Sequence, residues 1–103
     1  LVRSRGLGDV YKRQIYYSGM SSTLPSYVFC PRCGKKIFLT PLEPEAMQNI
    51  LEQGYDDGAR GVCVCGVVLV LCYQKLPKSP TFSMFFDVYQ ITEELYEQLK
   101  QKA

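Results

Sequence analysis

Cys30-Pro31-Arg32-Cys33-Gly34 and Cys63-Val64-Cys65-Gly66 are the two stretches on which the reading of this sequence turns. The first is a C-x-x-C turn and the second a C-x-C turn, and each is closed by glycine. Close cysteine pairs of this kind bring two thiolates to one point, and two such pairs complete a tetrahedral set of four. Pro31 fixes φ within the first turn, and a glycine after each pair can adopt positive φ, so that backbone N–H groups face the sulfurs. Zinc with four thiolates carries a net charge near −2, and those amides, with nearby cations, offset it.

The chain contains no histidine. That removes histidine-based triads, HExxH metalloproteases and the His-Cys-Cys zinc of nucleobase deaminases. Four thiolates leave no open coordination position for water or substrate, which predicts a structural metal at Cys30, Cys33, Cys63 and Cys65, one zinc per chain. A thioredoxin-type C-x-x-C would open a helix, whereas Lys36-Ile37-Phe38-Leu39 after Cys33 has strand character. The fifth cysteine, Cys72, lies in an apolar run and is expected to be a buried, unreactive thiol. With neither a Gly-rich phosphate loop nor a nucleophile beside a plausible base, no enzyme is expected.

These two cysteine knuckles resemble the zinc-ribbon class, and the resemblance spans residues 27–73. It implies a small antiparallel sheet carrying two metal-binding knuckles, and it says little about function, because ribbons serve very different proteins. One departure is the single residue between Cys63 and Cys65, where two are usual. That departure also weakens the comparison with a rubredoxin-like iron electron-transfer protein, although a tetrahedral sulfur site admits iron as well as zinc.

Outward from the knuckles, Tyr27-Val28-Phe29 and Lys36 to Leu39 are expected to form a hairpin with the metal at its tip. Thr40 to Pro44 reads as a turn, and Glu45 to Gln53 as an inserted helix with Ala46, Met47, Ile50 and Leu51 on its covering stripe and Gly54 after its end. Tyr55-Asp56-Asp57-Gly58 reads as a loop. Val67 to Tyr73 is apolar on both faces, as in a strand at the centre of a sheet. Gln74 to Thr81 reads as a polar connection. Phe82 to Tyr89 reads as a further strand, and Glu93 to Lys102 as a helix capped by Thr92. The fold class is therefore small α+β: a zinc-ribbon-like antiparallel sheet with an inserted helix and a C-terminal strand and helix over 82–102.

A chain of 103 residues, 47% hydrophobic and 21% charged, has room for one small globular domain. Residues 1–14, Leu-Val-Arg-Ser-Arg-Gly-Leu-Gly-Asp-Val-Tyr-Lys-Arg-Gln, resemble a translated sequencing-library adapter of the kind found at the ends of metagenomic reading frames. On that reading residues 1–19 are a non-native or disordered leader, Met20 is the native start, and 20–103 is the domain. The first 14 residues hold four basic groups and one acid, so the whole-chain charge of +2 becomes −1 over residues 15–103. General affinity for polyanions is then not implied.

Locally, Arg32, Lys35 and Lys36 still gather positive charge at the first knuckle, beside Tyr27, Phe29 and Phe38. The bland account is that these cations offset the thiolates and the aromatics are core. The functional one is nucleic-acid contact through charge and stacking. The leading expectation is a cytoplasmic adaptor binding another protein; a nucleic-acid-binding ribbon is the alternative. No apolar run reaches the ~20 residues that span a bilayer.

Overall fold

Val68–Lys75 is the strand around which the chain is built. The computed structural model describes residues 15–77 and 80–101, and within them seven strands and two helices follow in order. The strands are β1 (Ile15–Ser21), β2 (Tyr27–Phe29), β3 (Lys36–Phe38), β4 (Thr40–Pro41), β5 (Asp57–Val62), β6 (Val68–Lys75) and β7 (Met84–Ile91); the helices are α1 (Pro44–Glu52) and α2 (Glu93–Lys100). Five strands form one sheet in the order β1-β7-β6-β5-β4, and β2 with β3 forms a separate two-stranded sheet. All pairings are antiparallel. The architecture is a small mixed α+β fold, with the two cysteine knuckles on different sheets rather than on one.

Because side chains alternate across a strand, β6 serves two cores at once. Val68, Val70 and Cys72 face the helices, where they join Tyr89 and Ile91 of β7, Leu42, Ala46 and Ile50 around α1, and Tyr96 and Leu99 of α2. Leu69, Leu71 and Tyr73 face the opposite way, with Phe86 and Val88, toward Cys30, Ile37, Cys63 and Val67. The fold therefore has three layers: helices, five-stranded sheet and first hairpin. Burial on both faces is what an apolar run in the central strand predicts.

Both helices lie near their expected positions. Pro44 occupies the first turn of α1, where its missing N–H is no loss. Leu51 is exposed, and Asn49 takes the expected place on the buried face because its Nδ2 donates to the Leu99 carbonyl at 3.0 Å. Thr92 caps α2 by accepting from the Leu95 amide at 3.1 Å. Lys100 pairs with Glu43 at 2.6 Å, joining the end of α2 to the start of α1.

Four segments differ from the sequence expectation. Thr40 and Pro41, read as part of a turn, form β4, which pairs with β5 at Thr40↔Arg60 and Pro41↔Ala59. Asp57 and Gly58 belong to β5 rather than a loop, since β5 pairs with β6 from Asp57↔Tyr73 to Val62↔Val68. Gln74 and Lys75 extend β6, and β7 runs two residues later than expected, its register fixed by Val68↔Ile91 and Lys75↔Met84. Residues 15–19, set apart by sequence as leader, lie in β1, which pairs with β7 from Ile15↔Tyr89 to Ser21↔Met84. The adapter-like residues 1–14 lie outside the described residues.

Candidate metal centre

Each cysteine pair sits at the tip of a hairpin. In the β2–β3 hairpin, the Cys30 amide donates to the Lys35 carbonyl at 2.8 Å and the Gly34 amide to the Cys30 carbonyl at 2.9 Å. In the β5–β6 hairpin, the Cys63 amide donates to the Val67 carbonyl at 2.9 Å and the Gly66 amide to the Cys63 carbonyl at 2.9 Å. Gly34 has φ of +80° and Gly66 of +100°. These left-handed turns explain why each pair is closed by glycine. The two knuckles reach the same local form although one has an extra residue.

The hairpin tips meet face to face. Cys30 Sγ lies 3.5 Å from Cys65 Sγ, and Cys33 Sγ lies 3.3 Å from Cys63 Sγ. All four sulfurs fall within 4.8 Å of one another. A zinc ion with Zn–S bonds of about 2.3 Å needs sulfurs roughly 3.8 Å apart at the corners of a tetrahedron. The four cysteines are thus placed to hold one metal ion with little movement. Cys30 and Cys63 are buried, Cys65 is intermediate and Cys33 is exposed, so the cluster lies at the surface with one side against the sheet.

Backbone amides supply the complementary charge. The Arg32 and Cys33 amides approach Cys30 Sγ at 3.3 and 3.5 Å. Burial raises the Cys30 thiol, but the amides of Cys33 and Arg32 and the thiols of Cys65 and Cys63 more than offset this and bring it down to about 6. Cys63 behaves oppositely. The Cys65 amide pulls it down, while burial and hydrogen bonds in which the Cys63 thiol donates to Cys33, Cys65 and Cys30 outweigh that pull and push it up to about 12. A cation held by Cys30, Cys33, Cys63 and Cys65 would take the place of the shared protons and favour the thiolate form of all four.

Close packing behind the site depends on Gly61 in β5. A Cβ there would stand 2.5 Å from Ile37 Cγ2 and 3.0 Å from Leu39 Cδ2. The missing side chain lets the first hairpin rest directly on β5. Cys72, in contrast, is fully buried on the helix side of the sheet, away from the cluster. Burial, with Asp87 nearby, raises its thiol well above the usual range, in keeping with an inert structural cysteine.

The basic residues expected to contact nucleic acid are all exposed. Arg32 and Lys35 lie in the first knuckle and Lys36 opens β3. None forms an ion pair with another described residue. Lys36 Nζ sits 4.4 Å above the Tyr27 ring and 5.7 Å from that of Phe38. The assignment of the nearby aromatics to the core is corrected. Tyr27, Phe29 and Phe38 are 40, 54 and 67% exposed, while Val28 and Ile37 point inward. The signal was present in the alternation: Lys36 and Phe38 are two apart in one strand, so they share a face.

Phe29 also walls a shallow apolar groove of about 280 Å³, which continues across Tyr16 and Tyr17 over Phe86 and Val88. On the helix side lies a polar network that sequence reasoning did not find. Asp87 is buried and accepts from Ser18 Oγ at 2.7 Å and Tyr55 Oη at 2.5 Å; Tyr55 Oη is also 2.9 Å from Tyr89 Oη. Ser18 and Tyr55 are far in sequence from Asp87 and Tyr89, and no local motif joins them.

The chain matches no protein-family model, no curated protein and no solved structure. Among the described residues no helix is long and apolar enough to cross a membrane. The class that fold and site define is a small α+β domain with four cysteines placed to hold one metal ion.

Proposed function

We propose that Cys30, Cys33, Cys63 and Cys65 bind one zinc ion per chain as a structural clasp, and that the domain is a non-catalytic binding module. The observation that carries this reading is the convergence of four sulfurs, two from each of two hairpin tips, within 4.8 Å. Four thiolate ligands fill the coordination sphere of a tetrahedral ion, which suits structure rather than catalysis. The ion would fasten the β2–β3 layer to the main sheet, where it otherwise relies on Ile37, Val28 and Leu39.

A clasped module works by presenting a surface to another macromolecule. A protein-binding adaptor is the general form of this reading. A nucleic-acid-binding form is favoured by one specific observation: the aromatics of the first hairpin lie on its open face around Lys36 rather than in the core.

Metal analysis of purified protein tests the clasp. One zinc per chain and a lower melting temperature after chelation are expected. Visible thiolate-to-iron absorbance would assign iron instead, and equal stability with and without a strong chelator would remove the clasp.

A further inference from the structure

We propose that the open face of the β2–β3 hairpin is a stacking surface for single-stranded nucleic acid, with Phe38, Tyr27 and Phe29 receiving bases and Lys36, Lys35 and Arg32 receiving phosphates. This rests on the binding-module reading above and names its partner class.

Three observations support it. The aromatic rings form one continuous group: Tyr27 and Phe38 are direct cross-strand partners, and the Tyr27 ring centroid is 5.6 Å from that of Phe29 and 6.2 Å from that of Phe38. Exposed aromatics beside cations are how single-strand binders hold bases without reading sequence. Second, residues 26–39 carry three cations and no acid, in a chain that nets −1 over residues 15–103. The charge is therefore concentrated on the hairpin that bears the rings.

Third, Lys36 stands within the aromatic group, directly opposite Phe29 across the strands. Lysine is depleted from the centres of protein–protein interfaces, where desolvating it is costly. Next to a stacked base it meets a phosphate instead. The groove beyond Phe29 extends the aromatic face toward Tyr16 and Tyr17, both about half exposed.

The test uses the full chain loaded with zinc and fluorescently labelled oligo(dT) and oligo(rU) of about twelve nucleotides, within the footprint of single-strand modules. Anisotropy titrations at several salt concentrations are expected to show saturable binding, with a slope of log K against log salt of about −2 for three phosphate contacts. Phe38→Ala and Phe29→Ala are each expected to weaken binding roughly five- to a hundred-fold. Lys36→Gln is expected to reduce the slope by about 0.7.

Both phenylalanines are exposed, so melting temperature and zinc content of these variants are expected to match the parent. Absence of binding by zinc-loaded, folded protein at low salt, or unchanged affinity in both phenylalanine variants, overturns this proposal and leaves the clasp standing. Failure to retain zinc overturns the clasp itself. A poly-glutamate peptide is titrated in parallel. If it binds, loses affinity in the same variants, and the oligonucleotides do not bind, the surface belongs to an acidic protein and the nucleic-acid assignment is overturned.

Discussion

Cys33 Sγ lies 3.3 Å from Cys63 Sγ, across the gap between two sheets that share no backbone ladder. With Cys30 and Cys65 it ties the first hairpin to the tip of the second. The helix-side core of β6, β7, α1 and α2 contains none of these four residues. Chelation, or Cys33→Ser, is therefore expected to release the β2–β3 layer first and to leave the helix-side core folded for longer. Amide hydrogen exchange is the suitable measurement. Protection at Cys30, Gly34 and Leu39 is expected to fall by at least tenfold while that of β6 and β7 changes less. Uniform loss across the chain would show that the metal supports the whole fold, and no loss at all would show that it supports none of it.

Cys72 provides the internal contrast. It is fully buried, faces Tyr89 and the helices, and is distant from the cluster on the other side of the sheet. Cys72→Ser places a more polar hydroxyl in a fully buried site and is expected to cost on the order of 1–3 kcal/mol in denaturant unfolding. Metal stoichiometry should be unchanged. A variant that lost metal would connect Cys72 to the site and contradict the assignment.

The parts of the fold that could be read in advance are those with local causes. Val67 to Tyr73 is apolar on both faces, and a strand so patterned has to be covered twice. Each cysteine pair carries its turn with it, and the hydroxyl of Thr92 announces a helix start. What could not be read depends on distant partners. Asp57 and Gly58 have turn chemistry, yet pairing with Tyr73 and Cys72 draws them into β5. Tyr16 to Gly19 carry no strong alternation, and β7 supplies the edge on which they pair. The outward rotation of Tyr27, Phe29 and Phe38 follows from burying Val28 and Ile37, and its one local signal is Lys36, which shares a strand face with Phe38.

Gly61 tests how tightly the hairpin is seated. A methyl group at this position meets Ile37 Cγ2, on a branched side chain with little freedom, and Leu39 Cδ2. Gly61→Ala is expected to destabilise the protein by about 1–3 kcal/mol through overpacking. It should also accelerate transfer of the metal to a competing chelator, because the first knuckle is pushed away from the second. Parent-like stability and parent-like transfer together would mean that the hairpin rests on β5 more loosely than the distances indicate.

Alkaline pH should unfold the protein through its buried phenols. Burial is the largest influence on Tyr55, Tyr73, Tyr89 and Tyr96, and it raises all four; Tyr73 is pushed up to about 12, and Tyr55 rises further with its hydrogen bonds to Asp87 and Tyr89. The folded state thus holds these protons more tightly than the unfolded chain, whose phenols titrate near ~10. Their contribution to stability is complete below that value and is lost as the pH rises from about 10 through 12. Denaturant midpoints measured across this interval should fall steadily, with tyrosinate absorbance growing in step with unfolding rather than before it. Tyr55→Phe removes the donor at Asp87 Oδ2 and is expected to cost about 1–3 kcal/mol at neutral pH, since the buried carboxylate keeps only Ser18 among its described hydrogen-bond donors. A flat profile to pH 12 would mean that these phenols ionise without leaving the core.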